Sequence, residues 1–235
     1  MLIDLHAHTS GISTCCRVPA PDIVRAAAAV GTDGIVLTNH YQRAYVADGD
    51  CAAFAKRYTD EYRYAVECGA EVGIKVFYGM ELTMERHSGA HILVYGVSPD
   101  FTVTYPDLFA WTLEDTYRLV HENGGMLVQA HPFRNGRDLL QELSFLDGVE
   151  ANSHPLYDAT HVERLTEIAH SAGLILTSGG DYHADTHRPH CGAYLPDTIT
   201  NESELCNYLL TTDRIDLLVQ EPGEAESRRV TYTRR

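Results

Sequence analysis

The stretch "DLHAHTSGISTCC", Asp4 to Cys16, combines two histidines and two adjacent cysteines close to the start of the chain. If the apolar run that contains it is a β-strand, His6 and His8 point to the same side, because residues i and i+2 of a strand share a face. Two imidazoles on one face can present ligand atoms to one metal ion. A redox pair of cysteines, or a core strand followed by buried thiols, would also fit this composition.

Polar residues of the same kind end most of the other apolar segments. Asp181 and His183 repeat the i, i+2 spacing in "GGDYH", and His40, Glu81 and His131 each close a further segment. One such pair is weak evidence, since a histidine on a strand is more often a hydrogen-bonded structural residue. Two pairs and several isolated groups are harder to explain as structure, because each unpaired buried polar group costs roughly 1–3 kcal/mol. The pattern predicts metal coordination.

Short β-branched runs alternate with amphipathic segments, as in strand "MLIDLHAH", helix "APDIVRAAAAVG" and strand "DGIVLTNH". A helix is predicted from about Asp48 to Cys68, and a polar turn separates strands "GIKVFYGMEL" and "GAHILVYGV". The alternation predicts a parallel sheet of βαβ units, either open and doubly wound or closed into a barrel. Only a barrel brings the C-terminal ends of all strands to one mouth. The polar strand ends therefore favour a barrel, formed by one domain over residues 1–235.

The composition limits the classes of partner. The chain carries 33 acidic and 18 basic residues, a formal net charge of -15, and its basic residues form no stripe that would bind a nucleic acid backbone. Its apolar runs are too short for a membrane span, and no export signal is visible, so we expect a soluble cytoplasmic protein. Six cysteines are too few for a disulfide scaffold. The oligomeric state is not indicated. Such an acidic chain needs a local positive charge, such as bound metal ions, to accept an anionic substrate.

The motifs "HAHT", "TNH", "GME", "AHP" and "GGDYH" follow one another over nearly the whole chain. In this order they resemble the signatures of PHP-domain proteins, the polymerase and histidinol phosphatase superfamily. The resemblance implies an α/β fold, a distorted seven-stranded (β/α)7 barrel like a TIM barrel, with the metal site at its C-terminal mouth. It also implies two or three divalent metal ions, Zn, Mn or Fe, and hydrolysis of phosphate esters.

The resemblance further implies a set of metal ligands at the mouth. The set is His6, His8, Glu81 and Asp181 for one ion, Glu81 with His91 and His131 for a second, and Cys15, His40 and His183 for a third. Cys15 stands where Asp or His is common in the family; a thiolate would bind zinc, and a free buried thiol is the alternative. Asn39 replaces the Asp of the commoner "TDH", which affects only a hydrogen bond to the neighbouring ligand.

Within this set, Glu81, Asp181 and His183 are the expected catalytic residues. Arg134, in "AHPFR", is expected to bind the substrate phosphate, although it could instead pair with acidic residues on the surface. His154 is expected to contact the substrate or to donate a proton to the leaving group, or else to be a polar residue at the rim. The run "HADTHRPH", residues 183–190, resembles a lid segment.

The function predicted from these residues is a metal-dependent phosphoesterase. A metal-activated water would attack a small phosphate ester, a phosphometabolite or a nucleotide. One alternative is an amidohydrolase-type enzyme that cleaves C–N or ester bonds; it would normally use a lysine at a strand end, and Lys56 and Lys75 are the only lysines. The other alternative is a metal-binding module without catalysis, with a regulatory or structural role.

Overall fold

The computed structural model describes residues 1–86, 89–183 and 188–234, and in these ranges it contains eleven strands and six α-helices. The strands are β1 (Leu2–Ala7), β2 (Gly34–Leu37), β3 (His40–Tyr41), β4 (Lys75–Thr83), β5 (His91–Tyr95), β6 (Met126–Gln129), β7 (Gly148–Asn152), β8 (Ile175–Gly179), β9 (Gly192–Tyr194), β10 (Arg214–Val219) and β11 (Arg228–Thr233). The helices are α1 (Ala20–Ala29), α2 (Cys51–Val72), α3 (Phe101–Thr104), α4 (Leu113–Glu122), α5 (Val162–Ala172) and α6 (Glu202–Thr211).

Side-chain caps and glycines set the ends of the longer helices. Asp50 caps α2 by accepting a hydrogen bond from the Ala53 N–H at 2.9 Å, and Gly73 ends that helix with a φ of 78°, a left-handed conformation that suits glycine. The helix therefore runs one turn beyond the predicted end at Cys68. Thr112 and Asn201 cap α4 and α6 in the same way as Asp50 caps α2.

The sheet has the order β11-β10-β9-β1-β2-β4-β5-β6-β7-β8, with β3 paired to β4. Strands β1, β2 and β4 run parallel to one another, as do β6, β7 and β8, but β5 is antiparallel to both of its neighbours. The expectation of a wholly parallel sheet is therefore wrong for β5 and for the β9–β11 extension, which pair antiparallel with their neighbours; β4–β5 and β10–β11 are joined by segments too short for a helical crossover.

The curved sheet closes where β8 returns to β1. The Asp181 N–H donates to the His6 carbonyl at 2.9 Å, and Ala7 forms a parallel bridge with Tyr182. Strands β9 and β10 fill the lower part of this seam, where the Ser178 hydroxyl of β8 donates to the Leu218 carbonyl. The result is a nearly closed barrel of β1, β2 and β4 to β8, which confirms the predicted distorted seven-stranded barrel.

Helix α1 packs on the outside of β2, and helix α2 packs on α1 and β4. Their contact with the sheet is made by small and branched side chains, among them Ile23, Ala27, Ile35 and Leu37, each at most 2% exposed. Burial of each of the branched side chains among them contributes roughly 1.5–3 kcal/mol. Among the described residues, every helix is too short or too polar to cross a membrane. Strand β1 pairs with β2 beside this layer, and its C-terminal end brings His6 and the following His8 to the mouth.

Candidate metal centre

Four buried side chains meet at the C-terminal mouth of the barrel. The imidazoles of His6 and His8 come from the end of β1, Glu81 lies on β4, and Asp181 follows β8. Their ligand atoms all lie within 4.8 Å of one another. His8 Nε2 lies 2.9 Å from Asp181 Oδ1, and His6 Nε2 lies 3.3 Å from the same oxygen. The structure thus brings together the four residues predicted for the first ion.

Glu81 also faces the second predicted group. Its Oε1 lies 2.5 Å from His91 Nδ1 and 2.9 Å from His131 Nε2, whereas its Oε2 faces the first group. His91 is the first residue of β5, and it reaches the mouth because β5 runs antiparallel to its neighbours. One carboxylate therefore lies between two sets of imidazoles, the arrangement expected of a ligand that bridges two ions.

Two of the three residues predicted for the third ion, His40 and His183, also lie close together. Ligand atoms of His8, His40 and His183 lie within 4.8 Å of one another, and His40 is also grouped with Glu81 and His91. Cys15 is exposed, its Sγ lies 3.8 Å from the Tyr45 hydroxyl, and among the described residues it belongs to none of the groups whose ligand atoms converge within 4.8 Å. The exposure of Cys15 contradicts the alternative of a buried thiol, and its ligation stays a prediction. Cys16 is buried, and its Sγ accepts a hydrogen bond from the Val18 N–H at 3.5 Å.

The backbone is strained at two of these positions. His131 and Asp181 have φ angles of 30° and 48°, in the left-handed region that non-glycine residues rarely adopt. Such strain costs of order 1–3 kcal/mol per residue and persists where the surrounding structure enforces it, often at functional sites. Here the Asp181 N–H is held by the His6 carbonyl and the His131 N–H by Glu150 Oε2 at 3.2 Å.

The charges of the centre are strongly coupled. Burial raises the pKa of Glu81, but the surrounding imidazoles outweigh it and hold that pKa well below its usual value. Burial lowers the pKa of His6, yet Glu150, Asp181 and Glu81 raise it well above the ordinary histidine value. For His131, burial prevails and lowers the pKa to about 4. Burial also raises the pKa of Cys15, but hydrogen bonds with His183 and His40 lower it to about 5.

Several polar atoms of the centre are buried without a hydrogen bond. They include Glu81 Oε2, Asp181 Oδ1 and His40 Nδ1. His40 Nδ1 lies only 2.7 Å from Glu81 Oε2, but the two atoms lack hydrogen-bond geometry. A divalent cation would satisfy all of these lone pairs at once, and the mixture of imidazole, carboxylate and thiol suits Zn, Mn or Fe. The residues present therefore fit the expected metal ions.

Arg134, Tyr157 and His154 line one side of the mouth. The Arg134 guanidinium donates to the Tyr157 hydroxyl at 3.2 Å and lies 3.4 Å from His131 Nε2, so it faces the centre, whereas Asp138 pairs with Arg164. The Tyr157 hydroxyl donates to Asp181 Oδ2 at 2.6 Å, and its ring stacks on that of His154 at 4.4 Å. The structure places both predicted substrate-binding residues beside the ligand groups.

Three further residues support the centre and had no role assigned from the sequence. Ser13 Oγ lies 3.0 Å from His8 Nδ1 and donates to Asn39 Oδ1, so Asn39 keeps an acceptor where the commoner motif has Asp. Glu150 lies 2.9 Å from His6 Nδ1. Tyr157 lies in a loop without periodicity, whereas Glu150 belongs to the polar strand segment from Glu150 to His154, which the sequence alone indicates.

Of the predicted lid segment, residues 184–187 lie outside the described residues. The segment beyond them begins with Arg188, which is buried and forms an ion pair with Asp4. The lid therefore stays a prediction.

A model of the PHP domain family matches residues 4–204 of the chain. Among curated proteins, the phosphoribosyl 1,2-cyclic phosphate 1,2-diphosphodiesterase of Eggerthella lenta is 38% identical over 86 residues, which are 35% of this chain and 32% of that protein. The similarity thus spans about a third of the length of that relative.

Solved structures of three proteins share the fold. A proposed metal-dependent phosphoesterase of Bifidobacterium adolescentis has a TM-score of 0.56, with 88% of this chain and 95% of that chain covered. PsfC of Pseudomonas syringae has a TM-score of 0.60 with 87% of each chain covered. An amidohydrolase of Chromobacterium violaceum has a TM-score of 0.51, with 84% and 93% covered. Each is 18% identical to this chain, so these likenesses show the fold alone.

Proposed function

Because the chain belongs to the PHP domain family, as its motifs indicate, we propose that it is a metal-dependent phosphoesterase. The proposed substrate is a small phosphate ester, a phosphometabolite or a nucleotide. One observation carries the proposal: the fully buried Glu81 carboxylate lies within 3.5 Å of nitrogen atoms of five imidazoles, those of His6, His8, His40, His91 and His131. So many ligand groups around one carboxylate favour a multinuclear metal site over structural burial.

In this proposal the ligand groups keep the division given by the family resemblance. His6, His8, Glu81 and Asp181 would hold the first ion, Glu81, His91 and His131 the second, and Cys15, His40 and His183 the third. Bound divalent ions would lower the pKa of a coordinated water towards neutrality and neutralise charge on the phosphoryl oxygens. Glu81, Asp181 and His183 are the proposed catalytic residues, because they connect neighbouring groups of metal ligands. Asp181 belongs to the first group and His183 to the third, and Asp181 Oδ1 lies 3.5 Å from His183 Nδ1.

Arg134 is the proposed ligand of the phosphate. A guanidinium donates charge-assisted hydrogen bonds to phosphoryl oxygens, and its geometry suits two oxygens at once. Arg134 is held towards the centre by Tyr157, and it supplies a positive charge beside the ligand groups of a chain whose net charge is -15. It would orient the ester with its phosphorus towards the centre.

His154 is proposed to contact the substrate as a neutral donor. The Leu156 N–H donates to His154 Nδ1 at 3.1 Å, which leaves the proton of the neutral ring on Nε2. Burial lowers the pKa of His154, so at neutral pH the ring is uncharged. It can therefore donate a hydrogen bond to an oxygen of the ester, but a protonated imidazolium acid is disfavoured.

The amidohydrolase alternative finds no lysine at the mouth. Lys56 lies on α2 and pairs with Asp60, and Lys75 begins β4 at the opposite end of the barrel, where it donates to the Ile199 carbonyl at 3.0 Å. The non-catalytic alternative predicts metal binding without hydrolysis, so a measurement of hydrolysis separates it from the proposed activity.

The proposal is tested by metal analysis and by assays on purified protein reconstituted with Zn or Mn. We expect at least two ions per chain and hydrolysis of p-nitrophenyl phosphate, bis-p-nitrophenyl phosphate or a member of a phosphometabolite and nucleotide panel. His8→Ala should lose metal and activity. His121→Ala is the matched control, because His121 pairs with Asp147 away from the mouth. Metal binding without hydrolysis of any ester would favour the non-catalytic module.

A further inference from the structure

Glu150 is the middle residue of β7 (Gly148–Asn152), and its side chain is completely buried. Its two carboxylate oxygens lie 2.9 and 3.1 Å from His6 Nδ1. Oxygen Oε2 also accepts hydrogen bonds from the backbone N–H of His131 at 3.2 Å and from Asn152 Nδ2 at 3.0 Å. One carboxylate thus contacts a proposed ligand of the first ion and the backbone of a proposed ligand of the second.

The contact with His6 selects one form of its imidazole. A carboxylate can only accept a hydrogen bond, so His6 Nδ1 has to carry the proton. In the neutral ring this leaves the lone pair on Nε2, the atom that lies 3.3 Å from Asp181 Oδ1 and 3.5 Å from Glu81 Oε2. Carboxylates fix metal-binding histidines in this way in other metal sites and raise their basicity.

The contact with His131 holds a strained backbone. The φ of 30° at His131 places its N–H in a direction that the sheet does not satisfy, and Glu150 provides the acceptor. The chain also leaves room for this carboxylate at Gly179, where a Cβ atom would lie 2.6 Å from Glu150 Oε1 and 2.4 Å from His6 Cβ. Glu150 is not among the residues whose ligand atoms converge within 4.8 Å.

We propose that Glu150 is a positioning residue that sets the metal affinity of the centre, by holding His6 as the Nδ1–H tautomer and by fixing the backbone of His131. It does so without contacting an ion. The inference rests on the metal centre of the proposed function but not on the identity of the substrate.

The test is Glu150→Gln, a change of nearly equal size. The amide keeps one acceptor oxygen and replaces the other with a donor nitrogen, so one of the two positions that now face His6 Nδ1 as acceptors becomes a donor. An amide N–H that faces His6 would reverse the tautomer and place the proton on Nε2. The matched control is Glu202→Gln, because Glu202 also accepts from a backbone N–H, that of Tyr78 at 3.0 Å, and from the Tyr62 hydroxyl, far from the mouth.

Zinc affinity is measured by competition with a chromophoric chelator, without substrate, and the fold is checked by circular dichroism. We expect affinity to fall about 10- to 100-fold in Glu150→Gln and to remain unchanged in Glu202→Gln. Affinity within threefold of wild type in Glu150→Gln, or an equal fall in both variants, would overturn the proposal.

The wild-type protein provides a second readout that does not depend on how the variant folds. Nitrogen-15 NMR of the zinc-loaded protein should show His6 protonated on Nδ1 and coordinated through Nε2, with His6→Asn used to assign the signal. Coordination through Nδ1 would refute the inference. If the protein binds zinc as expected but hydrolyses no ester, the proposed activity fails while this inference stands.

Discussion

Tyr157→Phe removes one hydroxyl from the mouth and leaves the ring in place. The ring stacks on His154 and meets His131 edge-on at 5.6 Å, and phenylalanine retains both contacts. The hydroxyl donates to Asp181 Oδ2 at 2.6 Å and accepts from Arg134 at 3.2 Å. Burial raises the pKa of Tyr157, and the Asp181 carboxylate raises it further, so the hydroxyl remains a donor at neutral pH.

The expected size of the effect on kcat/KM follows from the charges of the two hydrogen-bond partners of the hydroxyl, Asp181 and Arg134. A hydrogen bond to a charged group contributes roughly 1.5–3 kcal/mol. Without the hydroxyl, Asp181 loses a donor and Arg134 loses the acceptor that keeps it beside the phosphate. If this free energy is expressed in the transition state, kcat/KM should fall about 10- to 100-fold, since about 1.4 kcal/mol corresponds to a factor of ten.

The assay is steady-state hydrolysis at saturating zinc, with metal content measured on the same samples. Tyr232→Phe is the control. Tyr232 lies on β11, and its hydroxyl donates to the Leu174 carbonyl at 2.6 Å, so loss of this hydroxyl should affect stability but not kcat/KM. A change of less than threefold in Tyr157→Phe, with metal content unchanged, would refute the link from Arg134 through Tyr157 to Asp181.

Three further predictions concern the thiol, the barrel seam and the metal. The Cys15 pKa of about 5 lies below the ordinary value for a thiol, so at pH 6.5 Cys15 should be a thiolate and should react with iodoacetamide before the other five cysteines. Bound zinc should protect Cys15 from this reaction, and uniform labelling of all six cysteines in mass spectrometry would contradict the prediction. Arg188→Met leaves the buried Asp4 without its ion pair and should lower the free energy of unfolding, measured in urea, by about 3 kcal/mol. Adding Asp4→Asn to this variant should restore part of the lost stability, and an unchanged urea midpoint in Arg188→Met would refute the prediction. Zinc at 100 times its Kd should stabilise the fold by about 2.7 kcal/mol and raise the Tm by roughly 5–10 °C. EDTA should reverse this shift, and an unchanged Tm would argue against a metal site that forms only on folding.

The strands of the barrel could be predicted because burial on both faces leaves a continuous apolar run, as in "GIVL" of β2. The direction of β5 could not, since hydrophobic periodicity is the same for parallel and antiparallel strands. Only the short polar turn before "HILVY" indicates a hairpin. That reversal also explains why His91 begins a strand, whereas Glu81 lies near the end of its strand.

The ligand candidates could be predicted because ligand type and position at a strand end are both local properties. The contacts that orient the ligands could not be predicted, since they join segments that are far apart in the chain. Glu150 lies 144 residues from His6, and Tyr157 lies 24 residues from Asp181 in a loop of irregular structure. A single sequence carries no periodic signal for such pairs.

Closure of the barrel and assembly of the centre depend on the same contacts. Asp4 Oδ1 accepts hydrogen bonds from the His6 N–H at 3.1 Å and from the Gly180 N–H at 2.9 Å, while Arg188 pairs with Oδ2. The carboxylate thus joins the strand that carries His6 to the segment that carries Asp181, at a seam without a regular ladder. In the unfolded chain these two ligands are 175 residues apart (181 minus 6), so the complete ligand group exists only once this seam has closed. Metal binding should therefore stabilise the closed barrel selectively, and changes at Asp4 should weaken metal affinity although Asp4 is not a ligand.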